Sequence, residues 1–296
     1  MTVYLAFLEV EYPLIILTIT AMFGLLIGSF LNVVIYRLPL MMERDYQHQA
    51  RLVLAGEEST DDDEESPTFN LAFPNSHCPN CNHEIAVWEN IPLISYLILK
   101  GRCSGCSQTI PLRYPILEAT AAILTCVLVS QYGLTETALI CMLLTWALLA
   151  IAVIDYDHLI IPDSIVLPFL WLGLIVNHWG LITTLESALW GTVIGYLSLW
   201  TLYWAHRLVT GKEGMGYGDF KLLAVLGAWM GWTIVPGAIL LSSVVGAIVG
   251  VTLIIVRGHE RQIPIPFGPY IAAAGWLCLI WGDAITSIYL DGMLLN

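Results

Sequence analysis

The sequence predicts an all-α fold, a polytopic helical membrane protein with about eight transmembrane helices and one large extramembrane loop domain. Three observations carry this. Of its 296 residues, 57% are hydrophobic and only 12% charged, and the mean hydropathy is +0.76, too apolar for a soluble domain of this size. Apolar runs of near-spanning length recur along the chain. The few basic residues are confined to particular loops.

In order, the first expected span is Leu14 to Tyr36. No Lys or Arg precedes it, so the basic start of a cleaved signal peptide is missing and a retained helix is expected. Its end, GSFLNVVIYRLP at 28–39, offers small and polar residues suited to close helix packing. Residues 37–113 then turn polar, hold four of the seven cysteines, and contain only the short apolar piece Ile91 to Leu99. A bilayer core needs about 20 residues, so this piece does not cross it. Further runs follow at 115–132, 137–154, 164–178, 187–205, 222–256 and 267–282. The run 222–256 lacks charge and is too long for one span, so Pro236-Gly237 is expected to divide it. The resulting division is a first helix at 1–36, a loop domain at 37–113 and a membrane domain at 114–296.

Charge placement tests the count independently. All eleven basic residues lie in loops 37–113, 206–221 and 257–266. Eight spans with the N-terminus outside put each of those loops in the cytoplasm. The formal charge of -13 is concentrated, since seven of the 24 acids lie between Glu57 and Glu65, which reads as a solvated loop. Nucleic-acid binding has no support, because Lys and Arg form no basic stripe.

Two acids stand at the mouths of apolar runs. Asp155 ends the run that starts at Thr137, and Asp219 closes the glycine-rich stretch GMGYGD at 214–219, whose three glycines make a poor helix interior and predict a turning backbone. Ionisable groups at such positions are functional candidates, and the span count brings both to the cytoplasmic face. Paired carboxylates are the minimum equipment of aspartyl proteolysis. Asp155 ends a helix and Asp219 opens one, so the helix dipoles make Asp155 the expected holder of a shared proton. Asp157 lies about 200° further round the helix, facing elsewhere. Asp163 is expected to cap the next helix, Lys221 to pair with Asp219 or reach toward headgroups, and Glu118 to be held by its helix N-terminus and Arg113. A proton-coupled transporter is the rival reading of the acid pair, though a relay would need groups deeper in the membrane.

Cys78-Pro79-Asn80-Cys81 and Cys103-Ser104-Gly105-Cys106 form two CxxC knuckles 21 residues apart. Reducing cytoplasm argues against disulfides, and four thiolates at this spacing suit a tetrahedral structural zinc, with a thiol oxidoreductase as the alternative. Cys126, Cys141 and Cys278 lie in apolar runs and are expected in packing.

The ordered set GSFLNVVIYRLP (28–39), CPNC (78–81), CSGC (103–106), RYPILE (113–118), IDYDHLIIPD (154–163) and GMGYGDFKLLA (214–224) resembles the type IV prepilin leader peptidase/N-methyltransferase family, and the match extends to PIPFGPY at 264–270. The resemblance implies an enzyme of the bacterial inner membrane. Its substrates would be type IV prepilins and type II secretion pseudopilins, cut on the cytoplasmic side and then N-methylated from S-adenosylmethionine. It also implies that Asp155 and Asp219 are the protease dyad, that the cysteine loop assists methyl transfer, and that Gly101 is a candidate participant.

Overall fold

A computed structural model describes residues 11–55, 69–257 and 265–294. The acidic run 57–65 and Arg261 lie outside the described residues. The chain forms two compact units that divide after Gly133.

In the first unit, α1 (Pro13–Ala55) runs 43 residues without a break, through Pro39. The sequence changes character at Arg37, yet the stretch that follows is rich in Leu, Met, Glu, Gln and Arg, all good helix formers, so polarity begins inside a helix rather than ending it. A 3₁₀ turn (Val87–Asn90) and the short helix α2 (Ile94–Ile98) follow, and then α3 (Arg113–Tyr132). α1 and α3 pack backbone to backbone. A Cβ on Gly24 would sit 2.6 Å from the Ala122 Cα, and one on Gly28 would sit 2.6 Å from the Glu118 Cα. This seam ties Arg113–Tyr132 to the first helix, so packing draws its boundary after Gly133, where hydropathy alone suggests residue 113.

The second unit contains α4 (Glu136–His158), α5 (Asp163–His178), α6 (Leu185–Thr210), α7 (Tyr217–Met230), α8 (Val235–Arg257) and α9 (Gly268–Leu294). Thr135 and Thr184 cap α4 and α6, their hydroxyls accepting the N–H groups of Ala138 and Ser187. The short α7 is the core. From Leu222 to Met230 every residue is buried, and α5, α6, α8 and α9 surround it. The break in the run 222–256 falls earlier than expected. Gly231, at φ +86, ends α7, and a 3₁₀ turn (Trp232–Ile234) leads into α8. Pro236 lies in the first turn of α8, where a missing N–H costs nothing, so the divider is the glycine in a left-handed conformation.

Among the described residues, five helical stretches are long and apolar enough to cross a membrane: Pro13–Leu54, Arg113–Tyr132, Glu136–His158, Trp232–Val256 and Gly268–Ser287. The other apolar runs form helices that fall short of this standard. α5 and α7 have 16 and 14 residues, short of the ~20 that a core requires. In α6 the hydropathy is diluted by Trp, Tyr, Ser and Thr.

The backbones of α6 and α7 meet at a pair of glycines. A Cβ on Gly227 would run into the Gly191 carbonyl oxygen, with no flexible side chain to yield. Gly227→Ala is therefore expected to destabilise the protein by about 1–3 kcal/mol. Gly250→Ala, at a buried helical glycine whose Cβ would meet Ile265 at an ordinary 3.4 Å, should not lower the thermal unfolding midpoint in detergent, because alanine gains about 1 kcal/mol of helix propensity over glycine and nothing there must shift. Equal midpoints for the two variants would contradict the contact.

Candidate functional site

Three segments of the second unit converge on the two acids. Asp155 lies in the last turn of α4, which Leu159 stops in a left-handed conformation, its N–H donating to the Asp155 carbonyl at 2.9 Å. Asp219 lies in the first turn of α7. The third segment is the start of α9, where the Gly268 N–H donates to Asp155 Oδ2 at 2.9 Å. Ile161 joins the three. A Cβ on Gly218 would stand 2.7 Å from the Ile161 Cβ, and one on Gly268 would stand 3.1 Å from its Cδ1 and 2.6 Å from Asp155 Oδ2. Both aspartates are buried, at 5% and 7% exposure, and the charge of Asp155 acts directly on Asp219.

The glycines before Asp219 work differently from the expectation. None takes a positive φ. Gly216 is the extended residue before α7, and Gly218 already lies in the helix. What the site requires of Gly218 is the absence of a side chain against Ile161. The dipole argument for a protonated Asp155 also changes, because the N-terminal end of α9 presents a backbone donor to that carboxylate and offsets the unfavourable end of α4.

The basic residue nearest Asp219 in sequence is engaged outside the pair. Lys221 donates to both oxygens of Asp163 at 2.7 Å, a partner not foreseen. Asp163 accordingly does not cap α5, whose N-cap is Pro162 without a side-chain bond. Asp157 is exposed while Asp155 is buried, as the helical phase requires.

In the first unit, the sulfurs of Cys78, Cys81, Cys103 and Cys106 all lie within 4.8 Å of one another. Cys78 and Cys106 are 3.8 Å apart, and Cys81 and Cys103 3.9 Å. Zinc–sulfur bonds of about 2.3 Å in a tetrahedron give sulfur–sulfur edges of about 3.8 Å, so the donor set fits zinc in size and kind. The two knuckles have one construction, repeated 25 residues later. The Cys78 N–H donates to His83 and the Asn82 N–H to Cys78; Cys103 with Gln108, and Ser107 with Cys103, do the same, all at 2.9 Å. Asn82 and Ser107 are both left-handed, at φ 55 and 60. Outside them, the Ile85 N–H reaches Ser76 and the Ile110 N–H reaches Gly101, both at 2.8 Å. This repeat was legible as C-x-x-C-x-x-x-I, present at Cys78 and again at Cys103. Sequence reasoning also missed Gly268, although PIPFGPY contained it.

The electrostatics of the cluster call for a cation. The Gln108 N–H and the Asn80 amide draw Cys106 down to about 6, and the Asn80 and Cys81 N–H groups lower Cys78. The His83 N–H acts in the same direction on Cys81, but burial and the three neighbouring sulfurs push that thiol up to about 12. Four sulfurs this close do not all ionise without a positive charge among them. His83 is engaged elsewhere, its Nε2 lying 3.1 Å from Glu89 and 3.0 Å from Ser104 Oγ. Gly101 adopts φ +68, and a Cβ there would meet the Tyr96 hydroxyl at 2.7 Å, so the knuckle requires a glycine at this position.

Comparison with known proteins agrees with this layout. A family model described as the bacterial peptidase A24 N-terminal domain matches residues 22–132, and one described as the type IV leader peptidase family matches 142–251. The chain is 56% identical over 281 residues to a prepilin leader peptidase/N-methyltransferase of Pseudomonas aeruginosa, covering 95% of this chain and 96% of the relative. A protein of the same name from Aeromonas salmonicida is 50% identical, covering 95% and 96%, and one from Dichelobacter nodosus 43%, covering 90% and 92%. No solved structure matches.

If the four sulfurs hold one metal, Cys78→Ser or Cys106→Ser should lower bound zinc from about one per chain toward zero and expose the 75–111 segment to protease. Metal analysis and limited proteolysis of the purified protein check this. Full zinc content in all four single variants would exclude the site.

Proposed function

Because the chain belongs to the type IV leader peptidase family, we propose that it is a bifunctional inner-membrane enzyme. It cleaves the leader peptide of type IV prepilins or type II secretion pseudopilins and N-methylates the amine that cleavage frees. The observation that carries the proteolytic half is the convergence of Asp155, Asp219 and the Gly268 N–H within one unit.

Asp155 and Asp219 are the proposed dyad. One carboxylate, ionised, takes a proton from a water molecule as its oxygen adds to the scissile carbonyl, while the other, protonated, donates to the carbonyl oxygen. Collapse of the tetrahedral intermediate breaks the C–N bond as the leaving amine takes the proton that the first carboxylate accepted from water, and the second carboxylate recovers its proton from a hydroxyl of the intermediate. Two features support this assignment. Both acids are buried, which lowers the dielectric around them, and Lys221, two residues from Asp219, is held by Asp163 instead. The Gly268 N–H orients Asp155.

Cys78, Cys81, Cys103 and Cys106 hold zinc in this proposal, and a closed set of four thiolates makes the ion structural, shaping the loop rather than taking part in bond making. For S-adenosylmethionine the described residues do not assemble a recognisable site. They form only isolated bridges in place of a sheet, without a glycine-rich loop between strand and helix. Methyl transfer is therefore assigned to the chain and not to particular side chains. The proposed topology has eight spans, with residues 37–113 and the dyad at the cytoplasmic face and the peptidase chemistry in the unit that follows Gly133.

Asp155→Asn and Asp219→Asn should each lower leader cleavage by about 10²–10⁴-fold or more while still methylating a substrate supplied already cleaved. Gly268→Ala, which would bring a Cβ to 2.6 Å from Asp155 Oδ2, should reduce cleavage by about 10²-fold and leave zinc content unchanged. Cysteine variants should show the opposite bias, with methylation lost before cleavage. Product mass from precursor and pre-cleaved substrate measures all of these, and cleavage at near wild-type rate in both aspartate variants would end the dyad assignment.

The topology is tested separately by a reporter fused after Asn296. It should report the periplasm, and cytoplasmic activity would mean an odd number of spans.

A further inference from the structure

The segment between the two knuckles, Val87 to Leu99, has an unusual surface. Val87, Trp88, Leu97 and Ile98 are exposed at 87%, 72%, 73% and 73%, and Ile91 and Ile94 are exposed beside them. The 3₁₀ turn Val87–Asn90 and helix α2 flank a tight bend, Ile91-Pro92-Leu93, in which Leu93 takes φ 56. An apolar segment this short, on a zinc module read as lying in water, would ordinarily fold inward.

The fixed points of the bend show where the segment lies. The Leu93 N–H donates to Glu118 Oε2 at 2.9 Å, and the Asn90 side chain meets the Ser29 hydroxyl at 3.5 Å. Glu118 and Ser29 belong to α3 and α1, both long and apolar enough to span. Glu118 stands five residues past Arg113, about 8 Å along its helix, and Ser29 stands eight residues before Arg37, about 12 Å along its own. The first lies within, and the second just beyond, the depth of about 5–10 Å into the headgroup and acyl boundary at which interfacial helices bury their apolar faces. Lys100 and Arg102, both exposed, follow at once and suit anionic headgroups. Trp88 has the amphipathic ring typical of this zone.

We propose that Val87–Leu99 inserts into the cytoplasmic leaflet, so that the occupant of its apolar face is phospholipid and the zinc module is seated on the bilayer as well as on α1 and α3. The inference rests on α1 and α3 spanning a membrane. Glu118 acts as the anchor that holds the bend at depth, and the knuckles on either side hold the two ends of the segment.

A photoreactive residue tests this, with full-length protein in phospholipid bilayer discs and without substrate. Trp88→p-benzoylphenylalanine and Leu97→p-benzoylphenylalanine should give phospholipid adducts on illumination, at a yield close to that of the same replacement at Leu26, an exposed residue within α1. The yield should be several-fold above that at Asn80, on the first knuckle. Retained zinc shows that each variant is folded. As a check that leaves the bend unmodified, Trp88→Phe should remove part of the tryptophan fluorescence that brominated phospholipid quenches. Adducts at Leu26 but not at 88 or 97, with quenching unchanged by Trp88→Phe, would overturn the proposal and leave the spanning helices intact. Cross-links from 88 and 97 to a second copy of the chain in place of lipid would also overturn it. Failure at Leu26 as well would remove its premise.

Discussion

The position of Asp219 depends on how closely α7 can approach α6. Gly191 and Gly227 allow the two backbones to touch, and Gly195 continues the seam against the backbone of Leu223 and Ala224. A helix of 14 residues buried nearly throughout has no side on which to relax. Its far end is fixed as firmly. The Asn177 amide donates to the carbonyls of Ala228 and Trp229 at 2.9 and 2.8 Å, while its oxygen accepts the N–H groups of Ile182 and Thr183. The Trp229 indole N–H reaches the Phe169 carbonyl at 2.7 Å. With both the side wall and the end of α7 set, the carboxylate on its first turn has little freedom, and Asp155 with Gly268 is built against a fixed partner.

Much of this was legible in the sequence, and the parts that were not share a physical cause. Apolar runs located the helices, because helix formation in such segments is a local matter. The end of α1 was not legible, since the Arg37 to Ala55 stretch is polar and a good helix former at once. The break after α7 was assigned to Pro236 when it belongs to Gly231, because proline is harmless in a first turn and only the backbone conformation reveals the glycine. At the site, both acids stood out as charges at the ends of apolar runs. Their neighbour Gly268 did not, being 113 residues from Asp155 and joined to it through a main-chain N–H that no side-chain pattern records. The Lys221–Asp163 pair was hidden for the same reason, since its members are 58 residues apart.

That ion pair bears on the chemistry. An ammonium two residues from Asp219 would, if it turned inward, tie up the carboxylate and hold it ionised. Asp163 at the head of α5 takes both of the short bonds available to it. The first unit solves a similar problem in reverse. The buried Arg37 guanidinium donates to the carbonyls of Asn70, Leu71 and Pro74, and Glu118 accepts the Leu93 N–H. Two opposite charges, one on each helix of the pair, thus hold two turns of the loop, mainly through backbone groups and, for Arg37, also over the Phe69 ring.

The repeated knuckle has a consequence for how this loop can change over time. Each half contributes two sulfurs through the same internal hydrogen bonds, so the geometry around a shared ion does not depend on what joins the halves. The joining segment behaves as a closed loop whose ends are stapled, and doubling its length would add only about 0.6 kcal/mol of closure entropy. Closure entropy therefore sets only a small cost on insertions or deletions between Ala86 and Lys100, and what restricts them is the handful of contacts the segment makes through Glu89, Leu93 and Tyr96.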